Sequence, residues 1–149
     1  SLRSVMNLDV LGERTIWIDC DVIQADGGTR CASITGAFVA LTDAVNAIHK
    51  ETPFETYPIS GMVSAISVGI SEEGAILDLN YAEDSTAMVD MNVIMNERGE
   101  FIELQGTGEE RPFTVKEMND LLTLASKGNE DLIAQVKEIM GEDLGRILS

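Results

Sequence analysis

Asp84 and Asp90, six positions apart in the stretch LDLNYAEDSTAMVDMNVIM (residues 77–95), are side chains whose types could do chemistry together, and no basic residue in that stretch pairs with either. In one straight strand their Cα atoms would stand roughly 20 Å apart. In a helix they would lie roughly 9 Å apart along the axis and on different faces. Convergence therefore requires a bend, and EDST is turn material where AMVDMN is not. The expectation is Asp84 on a turn and Asp90 on the strand that follows. Two carboxylates about 4 Å apart repel by roughly 4 kcal/mol at an effective dielectric of about 20, so a convergent pair takes up a proton or a cation. Mg²⁺ suits such a pair, because it prefers oxygen ligands and often uses one or two carboxylates with waters and phosphate. On residue chemistry alone the simpler reading is favoured, two solvated acids on a loop and an edge, since acids abound in this chain.

The second constellation is ADGGTR, which runs directly into an apolar-periodic segment. Gly27 and Gly28 permit close backbone approach, and the first N–H groups of a helix are unsatisfied and favour an anion. Thr29 adds a hydroxyl and Arg30 a fork of donors matched to phosphate. Taken alone, an ordinary strand-to-helix turn with a surface arginine is the favoured reading, because glycine-rich turns are common and both a Walker lysine and GxGxxG spacing are lacking. The remaining candidates read as structural. His49 falls near a helix C-terminus with no Ser or Cys nucleophile indicated beside it, Cys20 and Cys31 read as small packed residues, and Met88, Met91 and Met95 as core or interface.

The elements that must position these residues follow from periodicity. TIWIDCDVI (residues 15–23) alternates β-branched or aromatic residues with small and acidic ones and predicts a strand. From Thr29, apolar residues at Ile34, Phe38, Leu41, Val45 and Ile48 predict a helix of about twenty residues. Residues 51–61 predict a loop, VSAISVGI with AILDLN a first hairpin, and MVDMNVIMN with EFIELQG a second. Thr114 and Glu117 form a capping box that starts a helix ending near Ser126, with Gly128 as its stop and a further amphipathic helix through Leu132, Ile133, Val136, Ile139 and Met140. Strand, long helix, strands, then helices predicts an α+β fold, a two-layer arrangement of helices packed on a mixed sheet in one domain over residues 1–149.

The totals bound the function. The 149 residues carry ten Lys and Arg against 26 Asp and Glu, a formal charge of −16, which excludes a broad basic nucleic-acid surface and leaves only local phosphate binding. Two cysteines without CxxC spacing and one histidine indicate neither a disulfide framework nor structural zinc. Runs such as GAFVAL are too short to span a bilayer, and the N-terminal residues do not have the regions of a secretory signal, so a cytoplasmic protein is expected.

The segments LGERTIWIDCDVIQADGGTRCASITGAFVALTDA, AISVGI, LDLNYAEDSTAMVDMNVIM and EFIELQGTGEERPFT, in that order, resemble ribonuclease PH, the phosphate-dependent exoribonuclease family related to polynucleotide phosphorylase and the exosome ring subunits. The resemblance runs from Ser1 to about Val136 and implies that the chain corresponds to the larger, C-terminal part of such an enzyme. It implies a ribonuclease PH-like fold and a 3′-5′ exoribonuclease that trims RNA 3′ ends, such as those of tRNA precursors, and releases nucleoside diphosphates. By it, Thr29 and Arg30, with the Gly28 backbone nearby, match residues that hold inorganic phosphate, the co-substrate. Asp84 and Asp90, in the pattern EDSxAxxDMN, match the acidic pair associated with a divalent metal and catalysis. Asn80 stands where many relatives have Asp or Glu, and Cys31 where many have Thr. The implied partners are RNA and further copies of the chain, typically in a hexameric ring. A non-catalytic RNA-binding or scaffold subunit of such a ring is the alternative.

Overall fold

The computed structural model describes residues 1–147. A 3₁₀ turn (Leu2–Val5) and a one-turn helix α1 (Leu8–Leu11) lead into an extended stretch, then the long helix α2 (Thr29–Glu51). The hairpin β1 (Val63–Ser71) and β2 (Gly74–Leu77) follows, then the one-turn helix α3 (Tyr81–Asp84). A second hairpin, β3 (Val89–Asn96) and β4 (Phe101–Gly108), precedes helix α4 (Val115–Met140) and a final 3₁₀ turn (Gly141–Leu144).

The four strands form one sheet in the order β2-β1-β3-β4. All three of its ladders are antiparallel, so the α+β class expected from the sequence is present, without a parallel strand among the described residues. The reason lies in residues 15–23, which form no strand. A mixed sheet would have needed that segment to enter the sheet with α2 as the crossover to β1. Alternating residues make a strand only where a neighbour accepts their backbone bonds, and here Trp17 and Ile23 remain 86 % and 96 % exposed.

Register fixes two sheet faces. Val63, Ala65, Ser67 and Gly69 of β1 share one with Asn96, Ile94, Asn92 and Asp90 of β3, while Ser64, Ile66, Val68 and Ile70 share the other with Met95, Val93, Met91 and Val89. The first face meets α2, where the Ala65 N–H donates to Thr35 Oγ1 and Cys31 Sγ donates to Asn92 Oδ1. The second meets α4, where the Ser64 hydroxyl donates to Asn129 Oδ1 and the Asn129 amide to the Val93 carbonyl. Helices thus cover both faces, where the sequence suggested two layers, because β1 is apolar on both sides and buried along nearly its whole length. Phe38, Leu41 and Val45 carry the core stripe of α2. Helix α2 is long and apolar enough by composition to cross a membrane, yet that stripe is spent on the sheet. Met91 and Met95 are buried and Met88 packs against them, as expected.

Helix α4 corrects a second expectation. Gly128 ends no helix and lies buried within α4, where a Cβ would come within 2.5 Å of Ile66 Cδ1 and 2.7 Å of Leu77 Cδ1. The glycine serves close helix-to-sheet approach, and the periodicity runs through it. The Thr114–Glu117 capping box is present with both reciprocal bonds.

Candidate active site

The VDMNVIMN alternation of β3 sends Val89, Met91, Val93 and Met95 into the core beneath α4 and leaves Asp90 and Asn92 on the α2 face. Across the ladders, Asp90 pairs with Gly69 and Thr107, Asn92 with Ser67 and Gln105, and Ile94 with Glu103. A polar surface therefore forms beside the start of α2. Ser67, Asn92, Glu103, Gln105 and Thr107 were not singled out from sequence, although period-two alternation in β1, β3 and β4 was the signal that could have found them.

Two segments descend onto this surface. The β2–α3 connection is tied to β1 by the Asp78 N–H donating to the Ser67 carbonyl at 2.8 Å and the Leu79 N–H donating to Ser67 Oγ at 3.2 Å. Leu79 is buried over Gly69, where a Cβ would lie 2.7 Å from Leu79 Cδ2. Asp78 takes φ +56°, a left-handed conformation that Asp tolerates better than most residues. Asn80 then caps α3 through a reciprocal bond with Glu83, so Asp84 sits at the end of a helical turn and Asp90 on the strand after it. The expected bend is present, as a one-turn helix followed by the turn at Ser85 and Thr86.

The second segment is the glycine turn. Asp26 Oδ1 accepts from the Gly27 N–H at 3.0 Å and from the Tyr81 N–H of α3 at 2.5 Å. Gly27 packs so tightly on the β2–α3 connection that a Cβ would stand 1.9 Å from the Leu79 carbonyl oxygen. Gly28 takes φ +68° as the N-cap of α2 and, having no side chain, leaves the helix start without a side-chain cap. Thr29 and Arg30 are exposed on the first turn. The two motifs read separately in the sequence thus touch, backbone against backbone.

Electrostatics link them further. Burial, then the neighbouring Asp84 carboxylate and Glu109, push the Asp90 carboxyl above its ordinary range, against one lowering backbone bond at Met91. Asp84 and Asp90 make no ion pair among the described residues. Burial pushes the Cys31 thiol up to about 11; Arg30 opposes this, and Asp90, Asp78 and Glu103 add to it. Cys31 is therefore a protonated donor at neutral pH, within electrostatic reach of residues of both motifs. The other cysteine departs from expectation: Cys20 is exposed, its thiol reaching the Ser33 carbonyl of α2. His49 has a structural role, its Nδ1 accepting from the Phe54 N–H while its ring stacks on Phe54.

The Arg30 guanidinium is held by a different acid. Its NH2 donates to Glu103 Oε1 at 2.5 Å, and Glu103 lies four residues along β4 from Thr107, the partner of Asp90, or roughly 13 Å.

No group of three or more His, Cys, Asp or Glu side chains able to hold a metal exists among the described residues. A pair of carboxylates that raises the proton affinity of one member fits instead the mode in which a hard cation takes one or two protein oxygens and completes its shell with water and phosphate.

Comparison with known proteins gives a consistent picture. Residues 1–46 match the model of the 3′ exoribonuclease family, domain 1, and residues 61–128 that of domain 2. The chain is 59 % identical over 145 residues to ribonuclease PH of Bacillus subtilis (strain 168), and 55 % identical to ribonuclease PH of Listeria welshimeri; each alignment covers 97 % of the chain. It spans 59 % and 58 % of the length of these two relatives. Among solved structures, rice Rrp46 superposes with TM-score 0.64 at 16 % identity, over 80 % of this chain and 50 % of that one. The Archaeoglobus fulgidus exosome with RNA bound to the active site superposes with TM-score 0.57 at 17 % identity, over 76 % and 45 %. These two likenesses concern the fold.

Proposed function

The chain belongs to the 3′ exoribonuclease family that includes ribonuclease PH, and from that premise we propose that it carries the phosphate-using half of a 3′-5′ exoribonuclease that shortens RNA, such as tRNA precursors, by phosphorolysis. The observation that carries this reading is the seating of the glycine turn on the acidic segment, through Gly27 on the Leu79 carbonyl and Asp26 on the Tyr81 amide. It brings an anion-attracting helix start and a pair of unpaired carboxylates to one polar sheet face.

In this reading the uncapped first turn of α2, with the Thr29 hydroxyl and the Arg30 fork, holds inorganic phosphate. A phosphate oxygen attacks the last phosphodiester of an RNA 3′ end in line, the bond from phosphorus to the 3′ oxygen breaks, that oxygen takes a proton, and a nucleoside diphosphate leaves. Phosphate is its own nucleophile, in accord with a protonated Cys31 and a structurally engaged His49. Asp84 and Asp90 would hold a divalent cation such as Mg²⁺, whose chemistry when bound is to neutralise charge on the reacting phosphoryl group. Burial and the neighbouring Asp84 carboxylate raise the Asp90 pKa, so a cation held between the two acids would favour its ionised form. Orientation of Arg30, Thr29 and the two acids by the packed turn supplies the positioning term.

With a charge of −16, RNA has to be met on a local basic track, and assembly of several copies into a ring, as a hexamer, would let neighbouring subunits build one. Two free thiols and a sheet-packed α2 suit a cytoplasmic setting. The second reading, a non-catalytic RNA-binding subunit, is favoured by one observation, the engagement of Arg30 by Glu103. One experiment separates the two. Single-stranded RNA incubated with the purified protein should yield nucleoside diphosphates only with inorganic phosphate and Mg²⁺ both present, and none with Asp90→Ala. Monophosphates released without phosphate would sink the mechanism, and RNA binding without turnover would establish the second reading.

A further inference from the structure

The Arg30–Glu103 ion pair joins residues 73 positions apart, from the first turn of α2 to a strand at the sheet edge. Glu103 is the better anchored partner. Its Oε2 also accepts from the Ser1 hydroxyl at 3.2 Å, and its strand is irregular directly beside it, where the register passes from Ile94↔Glu103 to Met95↔Phe101. Such bulges re-aim a neighbouring side chain. Glu103 stands on the same α2-facing side of the sheet as Asp90, four residues or roughly 13 Å along β4 from Thr107, the partner of Asp90. The guanidinium is thereby held on Glu103, and Arg30 is not among the charges that shift the Asp90 carboxyl.

We propose that Glu103 is a positioning residue that holds Arg30 in reserve, so that phosphate enters the site by exchanging partners with the Glu103 carboxylate. The inference rests on the phosphate site described above. A phosphate taking two donors from the fork edge that includes NH2 would lie against the Glu103 carboxylate, and two anions cannot share that edge without repulsion. The pair opens readily, because both side chains are partly exposed, 44 % for Arg30 and 35 % for Glu103, and exposed pairs are weak. Glu103 then acts as a resident competitor that sets how much phosphate is needed, while free Arg30 is kept from capturing other anions.

The test follows the amide NMR signals of Gly28 and Thr29 during titration of the purified protein with inorganic phosphate. Arg30→Ala should weaken binding at least about tenfold, as expected for loss of a charge-assisted contact. Glu103→Gln, a partly exposed isosteric change, should tighten it about two- to fivefold, the span expected for losing a solvent-accessible ion pair. Glu103→Asp, which keeps the carboxylate, should return affinity toward that of the wild type, and added salt should shrink the difference. In turnover the Glu103→Gln effect should fall on the KM for phosphate and not on kcat. Unchanged or weaker phosphate binding in Glu103→Gln, with Arg30→Ala still impaired, overturns the exchange and leaves the phosphate site standing. Wild-type affinity in Arg30→Ala overturns the phosphate site, and the exchange with it.

Discussion

Replacing Gly27 by alanine tests the joint on which the site depends. A Cβ there would lie 1.9 Å from the Leu79 carbonyl oxygen, 2.7 Å from the Asn80 carbonyl carbon and 2.8 Å from the Leu79 carbonyl carbon. All three atoms are backbone, so no side chain can swing aside. Real Cβ contacts essentially never fall below 3.0 Å, and the glycine turn must therefore part from the β2–α3 connection by at least about 1.1 Å. That displacement pulls on the Asp26–Tyr81 hydrogen bond, which stands at 2.5 Å. Overpacking of this kind costs about 1–3 kcal/mol of stability. Its functional cost is larger, since misplacing a positioned group by about 1 Å costs about a hundredfold in rate. Gly36→Ala is the matched control: Gly36 is exposed within α2 with nothing within 4 Å of its added Cβ, so alanine there should stabilise by about 0.5–1 kcal/mol and leave phosphate use alone. Urea unfolding midpoints report the first quantity and nucleoside diphosphate release the second. A Gly27→Ala protein as stable and as active as the wild type would refute the contact, and one that loses stability but keeps full turnover would refute its role in aligning phosphate with the acidic pair.

Asp90→Asn should raise stability at neutral pH while cutting phosphate-dependent release at least about a hundredfold. The folded carboxyl has its pKa raised above 3.8, so stability falls as pH climbs from that value through the folded one, and the gain from Asn should vanish near pH 3 in melts run across that range. Mg²⁺ should raise the melting temperature of the wild type more than that of the variant. Gly128→Ala sets a helix-propensity gain of about 1 kcal/mol against overpacking of about 1–3 kcal/mol on Ile66 and Leu77, and chemical denaturation should show a net loss of about 1 kcal/mol. Thr114→Ala should cost about 1 kcal/mol by removing the cap of α4. Arg111, then the Thr114 backbone and hydroxyl, hold Glu117 down to about 2, so its contribution is present above pH 4.5 and lost as pH falls toward 2. Acid melts of Thr114→Ala should show a smaller loss across that window.

Elements held by local rules were legible in the sequence. The 3.6-residue stripe from Ile34 to Ile48 gave α2, alternation and turn residues gave both hairpins, and the Thr114–Glu117 pair gave the start of α4. Those rules need only neighbours along the chain. They failed where the partner lies elsewhere. Residues 15–23 have strand composition, but a strand needs a strand partner, and among the described residues none pairs with this segment. Gly128 reads as a helix stop by type and serves instead as a point of contact with Ile66, 62 positions away.

The site divides in the same way. The sequence by itself determined the chemical inventory, a glycine turn with Thr29 and Arg30 and two carboxylates separated by turn material, and even the need for a bend between Asp84 and Asp90. It could not determine that Gly27 would rest on the Leu79 carbonyl, that Asp26 would accept from Tyr81, or that Arg30 would be tied to Glu103. Those contacts join residues 52 to 73 positions apart, and they follow from the register of an antiparallel sheet that places Asp90, Asn92 and Glu103 on one face and from the helix start packed over it. Residue types are local and were written in the chain; the distances between their charges are set by burial and pairing, which only the folded sheet imposes.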